Sequence, residues 1–329
     1  MHILIVNDDG PPSSHSSPYV HSLVRTLQKN NHTVSVVLPN VQRSWIGKAH
    51  IVGQAIRPTY YRPHPSTEPN AAAADSGTTS THPLPDSSKE EEWILVDSTP
   101  ASCVQIGLFH YFSERGPIDL VVSGPNYGRN TTALFALSSG TIGGAMEAAA
   151  CDKRAIALSY AFFDRTNDPE VIAAASRKSV SVIEYLANNW DKDVHLYTIN
   201  VPLVRQVEGA KVLWTSMLQN TWKSGSCFQA IEVPESEDRD ADEAEEELRR
   251  AESRDGAEEQ AAEADGSGEH LRYKHRHFKW APKFKDVYDS VEQAPPGNDG
   301  WAVKEGHVSV TPLKANFMHV AGFEGEVKL

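Results

Sequence analysis

Two adjacent carboxylates, Asp8 and Asp9, close an apolar run in the opening MHILIVNDDG. Carboxylates a few Å apart do not both stay ionised cheaply unless a cation lies between them or one keeps a proton. Hard-cation chemistry is the first expectation. Further along, LPNVQRSW supplies the hydroxyl of Ser44, DLVVSGPNYGRN supplies Asn126 and Asn130, and LSSGT supplies Ser139, Gly140 and Thr141. Asp8, Asp9, Ser44 and Asn126 form an all-oxygen set of low charge that suits Mg²⁺ or Mn²⁺ with waters completing the shell, and it does not look like a zinc site. Ser139-Gly140-Thr141 precede IGGAMEAAA, a helical pattern whose free N–H groups would receive an anion such as phosphate. A water acidified by such a cation and deprotonated by Asp8 or Asp9 would hydrolyse a phosphomonoester. Taken singly, each motif has a plainer reading: Asp-Asp-Gly and SGPNYG as turns, SSGT as a helix N-cap.

For these motifs to meet, the chain must bring several strand ends to one edge. Ile3 to Val6 read as a buried strand. Val20, Leu23, Val24 and Leu27 recur at helical spacing, and HTVSVVLP is a second strand, which completes a βαβ unit. WILV followed by STPASCVQIGLF, then IDLVVSGPNYG breaking at Ser123-Gly124, the LSSGT helix, RAIALSYA, the VIAAASRKSVSVIEYLANNW helix and HLYTINVP continue the alternation. Strands alternating with helices predict an α/β fold of three layers, a mostly parallel, doubly wound, Rossmann-like sheet. Ligands bind such sheets at the carboxyl ends of the strands. Residues 210–233 and 307–313 alternate instead like antiparallel or edge strands and predict a C-terminal β extension.

The net charge of −13 is local: residues 232–265 hold 16 acids and 4 bases, a net of −12, which leaves −1 for the rest. That run has too few large apolar side chains to offset its ordering entropy. Residues 232–270 are therefore expected to be an acidic disordered insertion, with a tether for a basic partner as the alternative. Residues 59–92 have loop composition and read as a low-complexity surface insertion within a single domain spanning 1–329. Arg272 to Trp280 interleave bases with aromatics, but a near-neutral body argues for pairing with the acidic run or a dimer arm rather than nucleic acid. Three dispersed cysteines argue against a disulfide framework, and with no leader pattern or membrane span visible, a soluble, cytoplasmic protein is expected. His15, His50, His110, His307 and His319 lack ligand spacing.

NDDG, QRS, STPASCV, SGPNYGRN, SSGT with GGAMEAA, INVP and VSVTPL, in that order and over nearly the whole chain outside the two insertions, resemble the SurE family of survival-protein nucleotidases. The resemblance implies that Asp8, Asp9, Ser44 and Asn126 hold a divalent metal, and that Asn130 and the SSGT loop lie against the substrate phosphate. It further implies hydrolysis of nucleoside 5′- or 3′-monophosphates, sometimes with polyphosphatase activity, in a homo-dimer or tetramer built through the C-terminal β extension. The insertions are similar to those of fungal members. A broad-specificity acid phosphatase and a non-catalytic nucleotide-binding module are the alternatives. The chain departs from the family pattern in PPSSHSSPY, where an Ala-Pro-Gly turn is usual. It departs again at Trp45, where the usual residue is glycine, and at Thr131-Thr132, where acids are frequent. Trp45 is read either as a stacking surface for a nucleobase or as a half-buried residue of a lid.

Overall fold

The computed structural model describes residues 1–53, 55–64, 77–85, 87–165, 167–231, 277–318 and 321–322. The opening apolar run is strand β1 (His2–Val6), buried at every residue. It lies between two other buried strands, β2 (Thr33–Pro39) and β6 (Leu120–Tyr127), both parallel to it. A strand covered on both faces needs no polar alternation, which is why it reads as a continuous apolar run. With β3 (Pro58–Arg62), β4 (Thr78–Ser80), β5 (Trp93–Val96), β7 (Ala155–Ala161), β8 (Leu196–Pro202), β9 (Val212–Trp214) and β12 (Val308–Leu313), these strands form one ten-stranded sheet. Its order is β4-β3-β5-β2-β1-β6-β7-β8-β12-β9. Helices α1 (Val20–Lys29) and α5 (Pro169–Asn188) bury apolar faces against one side of the sheet, and α2 (Pro100–Phe109) and α4 (Gly140–Ala150) against the other. Each of the last three starts at a side-chain cap: Asp168 accepts from Glu170 N at 2.9 Å, Thr99 from Ser102 N at 3.2 Å and Ser139 from Ile142 N at 3.0 Å. Such caps satisfy N–H groups that the helix itself leaves open.

From β1 the chain winds outward through β2 and β5, then returns to β6 on the other side of β1 and winds away through β7 and β8. The point of reversal therefore lies between β1 and β6, where open α/β sheets form their ligand crevice.

Several expectations need amendment. The 59–92 stretch contains regular structure at both ends: β3 pairs antiparallel with β5, and β4 with β3. Short edge strands take their order from pairing, so no periodicity announces them. Strand β6 does not end at Ser123-Gly124 but continues to Tyr127 through a register shift between Ser123 and Asn126. Pro125 lacks a ladder donor, and a bulge accommodates it. The C-terminal strands mostly extend the same sheet, with β12 antiparallel to β8 on one side and parallel to β9 on the other. A separate hairpin pairs β10 (Phe228–Ile231) with β11 (His277–Trp280). Three helices were not foreseen: α3 (Thr132–Ser138), α6 (Lys285–Gln293) and α7 (Asp299–Lys304). The acidic run 232–270, most of the basic cluster and His319 lie outside the described residues. Among the described residues no helix is long and apolar enough to cross a membrane.

Candidate active site

Asp8 and Asp9 leave β1 directly into the crevice at the point of reversal, and they are only 2% and 1% exposed. The backbone N–H of Tyr127, at the end of β6, donates to Asp9 Oδ2 at 2.6 Å, and the Gln42 side chain donates to Oδ1 at 3.3 Å. The Thr141 hydroxyl, in the first turn of α4, donates to Asp8 Oδ1 at 2.5 Å. Arg43 N donates to the Asp8 carbonyl at 2.7 Å, which ties the loop after β2 to the loop after β1. Asn7, fully buried, folds the turn back: its Nδ2 donates to Gly10 O at 2.8 Å and its Oδ1 accepts from Gly10 N at 2.9 Å. This brace was missed in the sequence, although an Asn heading a turn is a recognisable side-chain-to-backbone signal.

The start of α4 abuts the acids. A Cβ on Gly140 would stand 2.8 Å from Asp8 Cβ and 2.9 Å from its Oδ2, so only glycine allows this approach. Of the SSGT loop, then, Gly140 and Thr141 touch Asp8, whereas Ser139 caps its own helix. Asn126 precedes Tyr127 and donates from Nδ2 to Gly128 O at 2.8 Å. Ser44 follows Arg43, whose guanidinium pairs with Asp97 at 2.8 Å. Asn130 is attached elsewhere: its N–H donates to Asn200 Oδ1 at 2.8 Å and its Nδ2 to Ser159 Oγ at 3.0 Å. Asn200 and Ser159 stand at the ends of β8 and β7, and Asn200 Nδ2 reaches Ser309 Oγ at 3.3 Å on β12.

Two further buried carboxylates stand behind this first layer. Glu147, on the third turn of α4, receives Lys48 Nζ at 2.5 Å and Gln105 Nε2 at 2.6 Å, with His50 Nε2 at 3.5 Å. Burial alone would push its carboxyl up, but the Gln105 and Lys48 hydrogen bonds and the Lys48 and His50 charges outweigh burial and hold it below the usual range. The strap that carries Ser44 is thereby laid along α4, and Gly47 N donates to Ser138 O at 2.9 Å. His50 also meets Ser102 Oγ at 3.1 Å, so it is a satisfied structural histidine.

Asp299, at the start of α7, is fully buried and accepts three backbone N–H groups: Thr132 at 2.9 Å, Gly300 at 2.8 Å and Leu218 at 3.1 Å. Burial pushes its carboxyl above the ordinary range against the pull of those donors.

Trp45 does not stand open to a base. Its ring packs against Phe135 at 5.7 Å, Trp280 at 5.5 Å and Phe284 at 6.0 Å between centroids, in a cluster that joins the strap to α3, β11 and α6. This is the half-buried reading. Its φ of 60° is left-handed, a conformation bulky residues adopt rarely.

A doubly wound α/β sheet with paired acids at its point of reversal defines a class of proteins that work on ligands held at strand ends. Within that class the chain belongs to the SurE family: the model for "Survival protein SurE" matches residues 3–224. A 5′-nucleotidase SurE from Ruegeria pomeroyi is 31% identical over 72% of this chain and 75% of its own length. The "Probable tubulin--tyrosine ligase PBY1" of Saccharomyces cerevisiae is 35% identical over the whole of this chain, which spans only 43% of that relative. The crystal structure of the SurE protein from Aquifex aeolicus shares the fold, with a TM-score of 0.60 at 23% identity, covering 97% of this chain and 95% of the other.

Proposed function

We propose that the chain is a divalent-metal-dependent phosphomonoesterase that hydrolyses nucleoside 5′- or 3′-monophosphates to nucleoside and phosphate. The observation that carries this reading is the burial of Asp8 and Asp9 side by side at the sheet's point of reversal, each oriented by a donor from a different strand end or helix. The donor chemistry fits Mg²⁺ or Mn²⁺: two carboxylates, the Ser44 hydroxyl and the Asn126 amide oxygen, whose partner nitrogen is committed to Gly128. When bound, such a cation supplies a Lewis acid and a more acidic water. The residues do the rest. Thr141 and Tyr127 N hold the carboxylates in fixed rotamers, leaving Asp8 or Asp9 to take a proton from the attacking water. Asn130 and the Ser139-Gly140-Thr141 turn would meet the phosphate. Relatives named 5′-nucleotidase support the nucleotide as substrate. The ligase in the yeast relative's name is not carried over, since this chain spans less than half of that protein.

We further propose the 1–329 chain as a single catalytic domain carrying surface insertions at 59–92 and 232–270. Assembly into a dimer or tetramer through the C-terminal strands, and a cytoplasmic location, belong to the same proposal.

The test is phosphate release from a panel of nucleoside monophosphates and an aryl phosphate, after EDTA and then with Mn²⁺ or Mg²⁺ restored. Metal-restored release that Asp8→Asn abolishes at unchanged melting temperature is the expected result. Release that survives EDTA or Asp8→Asn overturns the metal-site assignment.

A further inference from the structure

The turn after Asn130 is built against its own backbone preference. Thr132 sits at a φ of 69°, left-handed geometry that a β-branched residue adopts only when its surroundings impose it. It is fully buried and begins α3. The first three N–H groups of that helix are all taken by more C-terminal residues: Thr132 N by Asp299 Oδ2 at 2.9 Å, Ala133 N by Leu218 O at 2.8 Å and Leu134 N by Asn220 Oδ1 at 3.1 Å. Asp299 is the charged member of this set, and its other oxygen holds Leu218 N, so one carboxylate joins the turn to the segment that supports it. Hydrogen bonds to an ionised acceptor are about twice as strong as neutral ones.

From this geometry we infer that Asp299 is a positioning residue for the phosphate side of the crevice: it holds Thr132 left-handed and thereby fixes Asn130. The inference rests on the placement of Asn130 against phosphate proposed above. Asp299 lies outside the 3–224 family match, so the turn after the matched SGPNYGRN motif is held by a residue beyond it.

Asp299→Asn isolates the contact. The amide oxygen can still accept from Leu218 and Gly300, while the new NH₂ faces the Thr132 N–H, donor against donor. The probe is inorganic phosphate, titrated calorimetrically with and without Mn²⁺, alongside amide hydrogen exchange at residues 130–134. We expect phosphate affinity to fall about tenfold, the size of one charge-assisted hydrogen bond, and the Thr132 amide to exchange faster. Adding Thr132→Gly, which accepts the left-handed conformation freely, should bring affinity back to within about threefold of the wild type. Asn220→Ala, which removes a neighbouring anchor of the same helix, should leave phosphate affinity unchanged.

Faster exchange at Thr132 with unchanged affinity overturns the inference, as does an equal loss in Asn220→Ala. Should Asp299→Asn not fold, Asp299→Glu carries the same test with the charge retained. Wild-type protein that binds no phosphate under either condition takes the phosphatase reading down as well. Wild-type binding that is untouched by the variant takes down this inference alone.

Discussion

Glu147 and Asp299 are both buried carboxylates, each steadying one of the loops that frame Asp8 and Asp9, yet they do so by opposite means. Glu147 is met by side chains, two of them basic and reaching water: Lys48 and His50 are 35% and 40% exposed in their side chains. Asp299 is met by three backbone N–H groups and no listed cation takes part in those bonds. A carboxylate paired with solvated side chains can lose its partners to water. One that satisfies buried backbone donors cannot be removed without stranding them. The strap bearing Ser44 is therefore the replaceable support, and the turn bearing Asn130 the rigid one.

The sharpest way to break this contrast is to delete both acids and compare. Asp299→Ala strands three N–H groups and should destabilise the fold by about 3 kcal/mol or more, given ~1–3 kcal/mol for each unsatisfied buried group. Glu147→Ala leaves Lys48 and His50 to hydrate and should cost about 1 kcal/mol, the upper range for a solvated pair. Equal losses in urea unfolding would show that the strap is as deeply built as the turn.

The acid range separates the two by sign. The Glu147 carboxyl is held low, so its contribution is present above the unfolded value and lost as pH falls through the lowered folded one. The Asp299 carboxyl is held high, so the native state takes up its proton first, and stability gains as pH falls through that raised value. Melting curves should show the wild-type advantage over Glu147→Gln vanishing on acidification. The wild-type balance against Asp299→Asn should instead shift in favour of the wild type over the first part of the same titration. Parallel pH curves for the two variants would remove the distinction.

The smallest effect is expected at the far end of the strap. Trp45→Gly relieves a left-handed backbone worth roughly 1 kcal/mol while giving up aromatic contacts worth about 0.5–1.5 kcal/mol each. Stability should change by less than about 2 kcal/mol, while the aryl-phosphate to nucleotide turnover ratio shifts as the wall of the crevice opens. An unchanged ratio would place Trp45 outside the substrate path.

The central strands and the sandwiching helices were legible because burial on both faces writes continuous apolar runs, and amphipathic helices write their period into Val20, Leu23, Val24 and Leu27. The acids were legible because NDDG interrupts such a run. What stayed hidden depends on partners distant in the chain. The edge strands β3 and β4 exist through pairing, α3 is started by a carboxylate 167 residues away, and the Glu147 anchor needs Lys48 across the strap. No local pattern encodes those contacts. Thr99, Ser139 and Asp168 lie between the two cases: their cap chemistry is local, yet at Ser139 the cap and the phosphate reading share the same residues.

The placement of β12 between β8 and β9 governs how the protein can be made. While residues 203–307 are being synthesised, the outer edge of β8 has no strand to pair with, and β9 has no place to dock because its pairing in the sheet is with Val308 to Val310. A newborn chain in that state presents the bare hydrogen-bonding row of Leu196–Pro202 to any other unfinished copy nearby. Emergence of Val308–Leu313 ends that exposure by inserting a late strand into a sheet assembled much earlier.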